Sequence, residues 1–346
     1  MSILASKDLP PFIKILVTSR DESDICQTFS GKPRVIEKPL HIDLDTSGDV
    51  SKYLHHRFQE MTSTMMDDEP WPTDDAFDKL EQHAGGLFIW ASTVCNFIEG
   101  DGRMINHQAK LELILNKTSS DPESALDKLY SAVLEESYSP QDGVVQHDFN
   151  LILSTMVTAQ SPLSSMAITQ FLVYMQRKSA IKVITFVQPL GSLLSGTRDP
   201  NVQLQPLHPS FYDFLTNTKR SGPFYIDQQL HNTSMAVACL EIIIHDLNKD
   251  DPCGVGDPFY QNKDISNDVI EKVLSEAVHY ACHHLKDHID NVDSATVILA
   301  NKIRTFLCEH LLHWIEALSL MNMLGIAHPS LVSLEQWLKV SSFILD

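Results

Sequence analysis

DPESALDKLYSAVLEE, residues 121–136, is the stretch on which the fold turns. Leu126, Leu129, Tyr130, Val133 and Leu134 fall on one stripe of a 3.6-residue period, the signature of a helix with one buried face. Asp121 suits an N-cap. Pro122 suits the first helical position, where its missing N–H would have had no partner anyway.

The same period recurs upstream and downstream. From Asp49 onward strand signals nearly vanish, and apolar residues return at helical spacing: Val50, Tyr53, Leu54 and Phe58, then Phe77, Leu80 and Ala84 before Gly85-Gly86. Leu87–Ile98 and His107–Leu115 read the same way. The chain is therefore expected to be mainly α. Ser139-Pro140-Gln141-Asp142-Gly143 is polar and turn-like and marks a unit boundary. Beyond it the pattern predicts helices over His147–Ala159, Ser164–Tyr174 and near Ile181–Leu194. A turn is expected at Gly196–Asn201, then a strand carrying Val202, Leu204 and Leu207 that leads into a helix over Pro209–Thr216. Three helices and a β element are consistent with a winged helix whose wing turns at Gly-Thr-Arg-Asp-Pro-Asn.

After Pro223 three further helices are expected, over Asp227–Leu247, Asn267–Asp290 and Val297–Leu324, with a loop around Asp250–Asp264. In the third, Ile303, Phe306, Leu307, Leu311, Trp314, Ile315, Leu318 and Met321 make an apolar face wide enough to be mostly buried. The apolar end, from Leu331 through Trp337 to Leu345, should dock against something or form a truncated edge. Near the other terminus, FIKILV at 12–17 follows Pro10-Pro11 and suits a buried parallel strand. Val35–Leu44 is a second candidate strand. Asp21–Phe29 is an intervening helix with acidic residues in its first turn, broken by Gly31-Lys32-Pro33. No repeat of 20 to 50 residues is evident.

Bulk numbers exclude several classes. At 346 residues, more than one packed unit is expected, and 43% hydrophobic with 21% charged residues leaves no reason for extensive disorder. A net charge of -19 argues against a sequence-independent grip on nucleic acid or anionic lipid, since both rest on clustered Lys and Arg. Met1–Pro11 has no secretory pattern, and the apolar Gly86–Ile98 stretch is too short, and with Ser92, Thr93 and Asn96 too polar, to span a bilayer. Six scattered cysteines without a CxxC pair fit a reducing compartment, so a cytoplasmic location is expected.

The order of elements then resembles a family. LPPFIKILVTSRDESDI (9–25), HAGGLFIWASTVCNFIEGD (83–101), ALDKLYSAVLEES (125–137), LQPLHPSFYDFLTN (204–217) and HLLHWIEALSLM (310–321) together resemble fungal NACHT-type STAND NTPases, many of which carry WD repeats. The resemblance implies four units: a remnant of the NACHT core over 1–45, a helical domain over 46–138, a winged-helix-like domain over 139–222 and a helical connector over 223–346. It makes the Thr-Ser-Arg strand the sensor strand and Arg20 its phosphate sensor. A guanidinium at the C-terminal edge of a parallel strand sits where open α/β sheets bind nucleotide. Arg20-Asp21-Glu22 departs from the family's Arg-Pro-Glu. Leu207-His208-Pro209 is similar to the segment whose histidine holds the β-phosphate of ADP, which makes His208 the second sensing residue. Gly85-Gly86-Leu87-Phe88 is similar to a Gly-Leu-Pro that touches adenine. Gly86 and Leu87 are thus a possible adenine-side contact, though the proline is absent.

The phosphate-gripping half of such a site does not appear. A P-loop needs GxxxxGK[ST], so that successive backbone N–H groups wrap the phosphates while Lys and a hydroxyl complete the cradle. Gly31-Lys32-Pro33 lacks the earlier glycine and follows the sensor strand instead of preceding it. Asp67-Asp68 and Asp74-Asp75 end no apolar strand, so neither is a Walker B pair. Since phosphoryl transfer needs these parts together, the chain is not expected to be an enzyme by itself. It carries no catalytic residues, and it reads as a fragmentary product or a piece of a longer protein. No stably bound cofactor is expected, with ATP or ADP and Mg belonging to a full-length relative.

Other chemistries are weaker. Arg20 is also readable as a surface arginine, and His208 as a buried histidine satisfied by a carbonyl. His279, Cys282, His283 and His284, with Cys308, His310 and His313, match no zinc spacing, so no metal is expected. Ser19 and Ser210 lie in no nucleophile elbow. Arg177, Lys178 and Lys182 are too few for a DNA-reading helix in so acidic a chain. Two readings remain: a regulatory piece of a STAND NTPase coupling nucleotide state to helical rearrangement, or a nucleotide-independent helical module that binds protein partners or itself, with neither nucleic acid nor membrane involved.

Overall fold

A computed structural model describes residues 13–19, 23–32, 35–38, 44–63, 71–100, 106–118, 122–138, 143–176, 182–247, 251–254, 256, 261–292 and 296–345. Within them the chain is mainly helical. A short α1 (Ser23–Phe29) is followed by α2 (Leu44–Ser63), α3 (Asp74–Ala84), α4 (Phe88–Glu99), α5 (His107–Lys117) and α6 (Pro122–Ser137). Local chemistry sets several of these ends. The Thr73 hydroxyl accepts from Ala76 N–H, and Asn106 accepts from Ala109 N–H, each capping its helix start. Gly85, at φ 53°, closes α3 in the left-handed conformation, its N–H bonded to Glu81 C=O.

The stripes read from sequence face one another. Leu54, Leu80, Trp90, Val94, Ile98, Leu129 and Val133 are all fully buried in a first core built on α2 to α6. The next elements are α7 (Gly143–Thr158), α8 (Ser165–Gln176) and α9 (Val183–Val187), of which α7 continues that core through Phe149, Leu153 and Val157. The same helix sends Ile152 into a second core. β1 (Leu194–Ser195) and β2 (Gln205–Pro206) then pair antiparallel, Leu194 opposite Pro206. The hairpin turns at Gly196, φ 75°, where an added Cβ would lie 2.3 Å from Gln203 O; only glycine fits. α10 (Pro209–Leu215) returns to the first core through Phe211, Phe214 and Leu215, and α11 (Thr218–Ser221) follows it against α6.

The second core is organised around α12 (Gln228–Asp246), which packs on α7, α8, α14 (Glu276–Asp290) and α15 (Val297–Thr305). A short α13 (Asn267–Val273) precedes α14, and α16 (Leu311–Leu320) and α17 (Ala327–Leu345) complete the chain. Trp314 is fully buried with its ring edge-to-face on Phe306, centroids 5.6 Å apart. The apolar end does dock: α17 packs on α14 and α15, with Leu334 buried and Leu331, Trp337 and Leu338 partly so. Among the described residues no helix is long and apolar enough to cross a membrane. None of the six cysteines forms a disulfide.

Several expectations need correction. FIKILV is not a buried strand: residues 13–17 carry no regular structure, and Leu16 is 92% exposed. An apolar run becomes a parallel strand only when neighbours satisfy its N–H and C=O groups, and among the described residues none pairs with it. Val35–Lys38 of the second candidate strand is also irregular, and Leu44 already begins α2. The helix expected near Ile181–Leu194 is α9 alone, giving way to a 3-10 turn at Gln188–Leu190, where Pro189 has no N–H for the ladder. Asn267–Asp290 is two helices, because Ser275 starts a new one by accepting from Val278 N–H. Val297–Leu324 is interrupted by a π-helical turn at Phe306–His310 and stops at Leu320. Asp121, and residues 139–142 of the expected boundary, lie outside the described residues.

Candidate functional site

Of the four residues singled out from sequence, Arg20 lies outside the described residues. His208 is the N-cap of α10, with extended backbone at φ -147° and ψ 140°, followed by Pro209 at N1. Its position follows from local chemistry. β2 ends at Pro206, Pro209 cannot extend a ladder, and the side chain of His208 supplies the acceptor the helix start lacks. His208 Nδ1 accepts from the Ser210 backbone N–H at 3.2 Å and lies 2.7 Å from Ser210 Oγ. The Ser210 hydroxyl is in turn 2.7 Å from the hydroxyl of Tyr130 on α6.

Tyr130 is 1% exposed, with its ring edge-on to Phe211 at 5.1 Å and Phe214 at 5.5 Å. Burial raises its phenol above the ordinary value, and the Ser210 hydrogen bond opposes that rise, so the hydroxyl is protonated at neutral pH. Beside it, Arg220 of α11 makes a two-pronged contact with Asp127 of α6, Nε–Oδ2 2.9 Å and Nη2–Oδ1 2.7 Å. That hydrogen bonding raises the guanidinium pKa further. The corner bearing His208 is therefore clamped to α6 by two polar contacts one helical turn apart.

Gly86 and Leu87 occupy a different place. Gly85 and Gly86, both at positive φ, form the tight corner between α3 and α4, and Leu87 N–H bonds Ala84 C=O at 2.8 Å. Leu87 packs against the first core. Gly86 lines a cavity of about 380 Å³ shared with Ser51, Asp78 and Glu81, where the Ser51 hydroxyl donates to Glu81. The carboxylates of Asp78 and Glu81 make this cavity rich in acceptors and repulsive to an anion.

The histidines of α14 stack on one another or meet neighbouring polar groups. His279 and His283 of α14 stand 6.5 Å apart, ring to ring, and His283 stacks on His284 at 4.3 Å. Among the described residues no three His, Cys, Asp or Glu side chains converge as a metal would require. His288 is fully buried between Asn232 Oδ1 at 2.9 Å and the Tyr280 hydroxyl at 2.8 Å, and burial lowers its pKa to about 4. This helix instead holds the turn between α7 and α8. Glu276 accepts from Ser164 N–H at 3.0 Å and from its hydroxyl, Tyr280 accepts from Gln160 N–H at 2.8 Å, and His284 meets Ser161 at 3.1 Å.

The contacts made by Tyr130, Ser210 and Glu276 are not legible in the sequence. Tyr130 sits on an apolar stripe that predicts only where its ring faces; a hydroxyl two residues past His208 is the one signal in the sequence that could have found the Ser210 contact. Set beside known proteins, the chain matches no family model, no curated protein and no solved structure.

Proposed function

We propose that the chain is a regulatory segment of a NACHT-type STAND NTPase, coupling nucleotide state to the arrangement of its helical units. The observation that supports this reading best is the His208 corner. A histidine caps a helix directly after a β hairpin, and that helix is tied through Ser210 and Tyr130 to the helical unit before it. A ligand drawing on His208 pulls on a side chain that also organises α10, so binding and the α6–α10 contact share one group. The latch from Glu276, Tyr280 and His284 to the α7–α8 turn gives a route onward to the C-terminal helices.

In this reading the phosphates belong to His208 and Arg20, and the acceptor-rich cavity beside Gly86 suits the base. Hydrolysis is not expected of this chain by itself, and ATP or ADP with Mg is held fully only in a longer relative. Calorimetric titration with ADP tests the reading. Heat that is present in the natural chain and lost in His208→Ala supports it; no heat at millimolar ADP rejects it.

A second reading, a nucleotide-independent interaction module, draws on one observation. Val297, Ile298 and Leu312, on α15 and α16, are 62%, 64% and 78% exposed and offer apolar contacts to a protein partner or a second copy. Retention of partner or self-association in His208→Ala, together with silent ADP titrations, would favour it.

A further inference from the structure

Cations are scarce in this chain, 26 Lys and Arg against 45 Asp and Glu, yet four of them line one cleft of about 460 Å³: Lys117 at the end of α5, Lys128 of α6, and Lys219 and Arg220 of α11. Because α6 turns Leu129, Tyr130 and Val133 into the core, its opposite stripe of Asp127, Ser131 and Glu135 is left to face this cleft. Both carboxylates there are already engaged, Asp127 by Arg220 and Glu135 by Lys117 at 2.7 Å. A guanidinium carries five N–H groups. Asp127 uses one on Nε and one on Nη2, which fixes the plane of Arg220 and leaves the rest without a partner among the described residues. The Lys219 ammonium and the Ser131 hydroxyl likewise meet no partner among the described residues. Lys219 is exposed, and the Arg220 side chain is 34% open to solvent, so the remaining donors can be reached.

We infer that this cleft binds a small phosphoryl anion, with Arg220 as its oriented anchor and Lys219 and Ser131 donating to further oxygens. A tetrahedral phosphoryl group presents acceptor oxygens in several directions, so it serves donors arriving from α6 and α11 together. A planar carboxylate serves fewer of them, and Asp127 already fills its place on the guanidinium edge. With each carboxylate matched by a cation and Lys219 left over, the local field favours an anion in a chain that elsewhere repels one. His208 does not line the cleft, so the site is separate from the proposed nucleotide sensor and stands whether or not that reading does. Bridging α6 and α11, the anion adds to the contact that Asp127 and Arg220 already make between them.

The test titrates the full chain with pyrophosphate at low ionic strength, read by the ³¹P shift. The natural chain should bind, and more weakly as salt is added. Lys219→Glu, a change at an exposed position, should abolish binding. Arg220→Lys keeps the charge but loses the fork and should weaken binding roughly ten-fold, and Ser131→Ala roughly three-fold, about the worth of one neutral hydrogen bond. His208→Asn should leave the titration unchanged. No binding by the natural chain overturns the inference. So does equal binding in Lys219→Glu and Arg220→Lys while their thermal midpoints show them folded. Binding that is lost in His208→Asn and kept in Lys219→Glu also overturns it, because the anion then sits at the other corner. N-acetyl-phosphoserine amide, titrated alongside, identifies the source: tighter binding than pyrophosphate assigns the cleft to a phosphorylated segment, weaker binding to a free polyphosphate, and either supports the phosphoryl site. If pyrophosphate binds as described but ADP gives no heat, the nucleotide reading fails and the cleft stands.

Discussion

At the residue scale, His208 combines two roles that substitution can separate. As a helix cap it is replaceable, because asparagine is among the best caps and offers an acceptor of similar reach; as the imidazole proposed to meet a phosphate it is not. His208→Asn should therefore leave the thermal midpoint nearly unchanged while abolishing the ADP response. His208→Ala should lose both, destabilising the chain by about 1 kcal/mol. Differential scanning calorimetry with and without ADP distinguishes the two. His288 gives the residue-scale prediction for pH. Its pKa falls from 6.5 unfolded to about 4 folded, so below 6.5 the unfolded chain binds the proton that the folded chain refuses. Its contribution is complete above about pH 6.5 and is lost as pH falls toward 4. His231, His279, His283 and His310 shift in the same direction, burial first among the causes, and add to the acid loss. Unfolding midpoints measured between pH 7 and 4 should fall, and less steeply in His288→Gln; a midpoint that rises on acidification contradicts the assignment.

At the element scale, the polar latches between helices are expected to outweigh ordinary surface pairs. Glu276 satisfies the backbone N–H and hydroxyl of Ser164 at the start of α8, so Glu276→Ala leaves a buried donor unpaired and should cost about 1–3 kcal/mol in denaturant unfolding. Asp127→Asn breaks the two-pronged contact to a partly exposed Arg220, where solvent screens the charges, and should cost about 0.5–1 kcal/mol. Legibility also differs by element. The helices α3 to α6 could be read from their stripes because the apolar period matches the face that is buried, as Leu129, Val133 and Leu134 show. FIKILV could not, because a parallel strand is defined by neighbours and not by its own residues, and Leu16 and Val17 are exposed. The π turn at Phe306–His310 escaped for the same kind of reason. Phe306, Leu307 and Leu311 continue a helical stripe whether the backbone bonds at i+4 or i+5. The strand-to-helix corner at His208 was legible from Leu207-His208-Pro209, but Tyr130 was hidden in an apolar row, since spacing shows which way a ring faces and not what its hydroxyl meets.

At the scale of the whole molecule, two cores share α7, which sends Phe149, Leu153 and Val157 one way and Ile152 the other. Trp90 and Trp314, each fully buried, report on them separately. Truncating either to alanine should cost roughly 3–5 kcal/mol. If α7 couples the cores, both variants should lower a single unfolding transition; two transitions, each answering to one tryptophan, would show that the cores unfold independently. Coupling across α7 is also what a conformational relay from the His208 corner to α12 and α14 requires.

That relay is tested most directly by amide hydrogen exchange on the full chain with and without saturating ADP. The account predicts slower exchange over α10 and over α6 around Tyr130, extending to the α7–α8 turn held by Glu276, with the change lost in His208→Asn. Exchange that is identical in all three segments with and without ADP would contradict it.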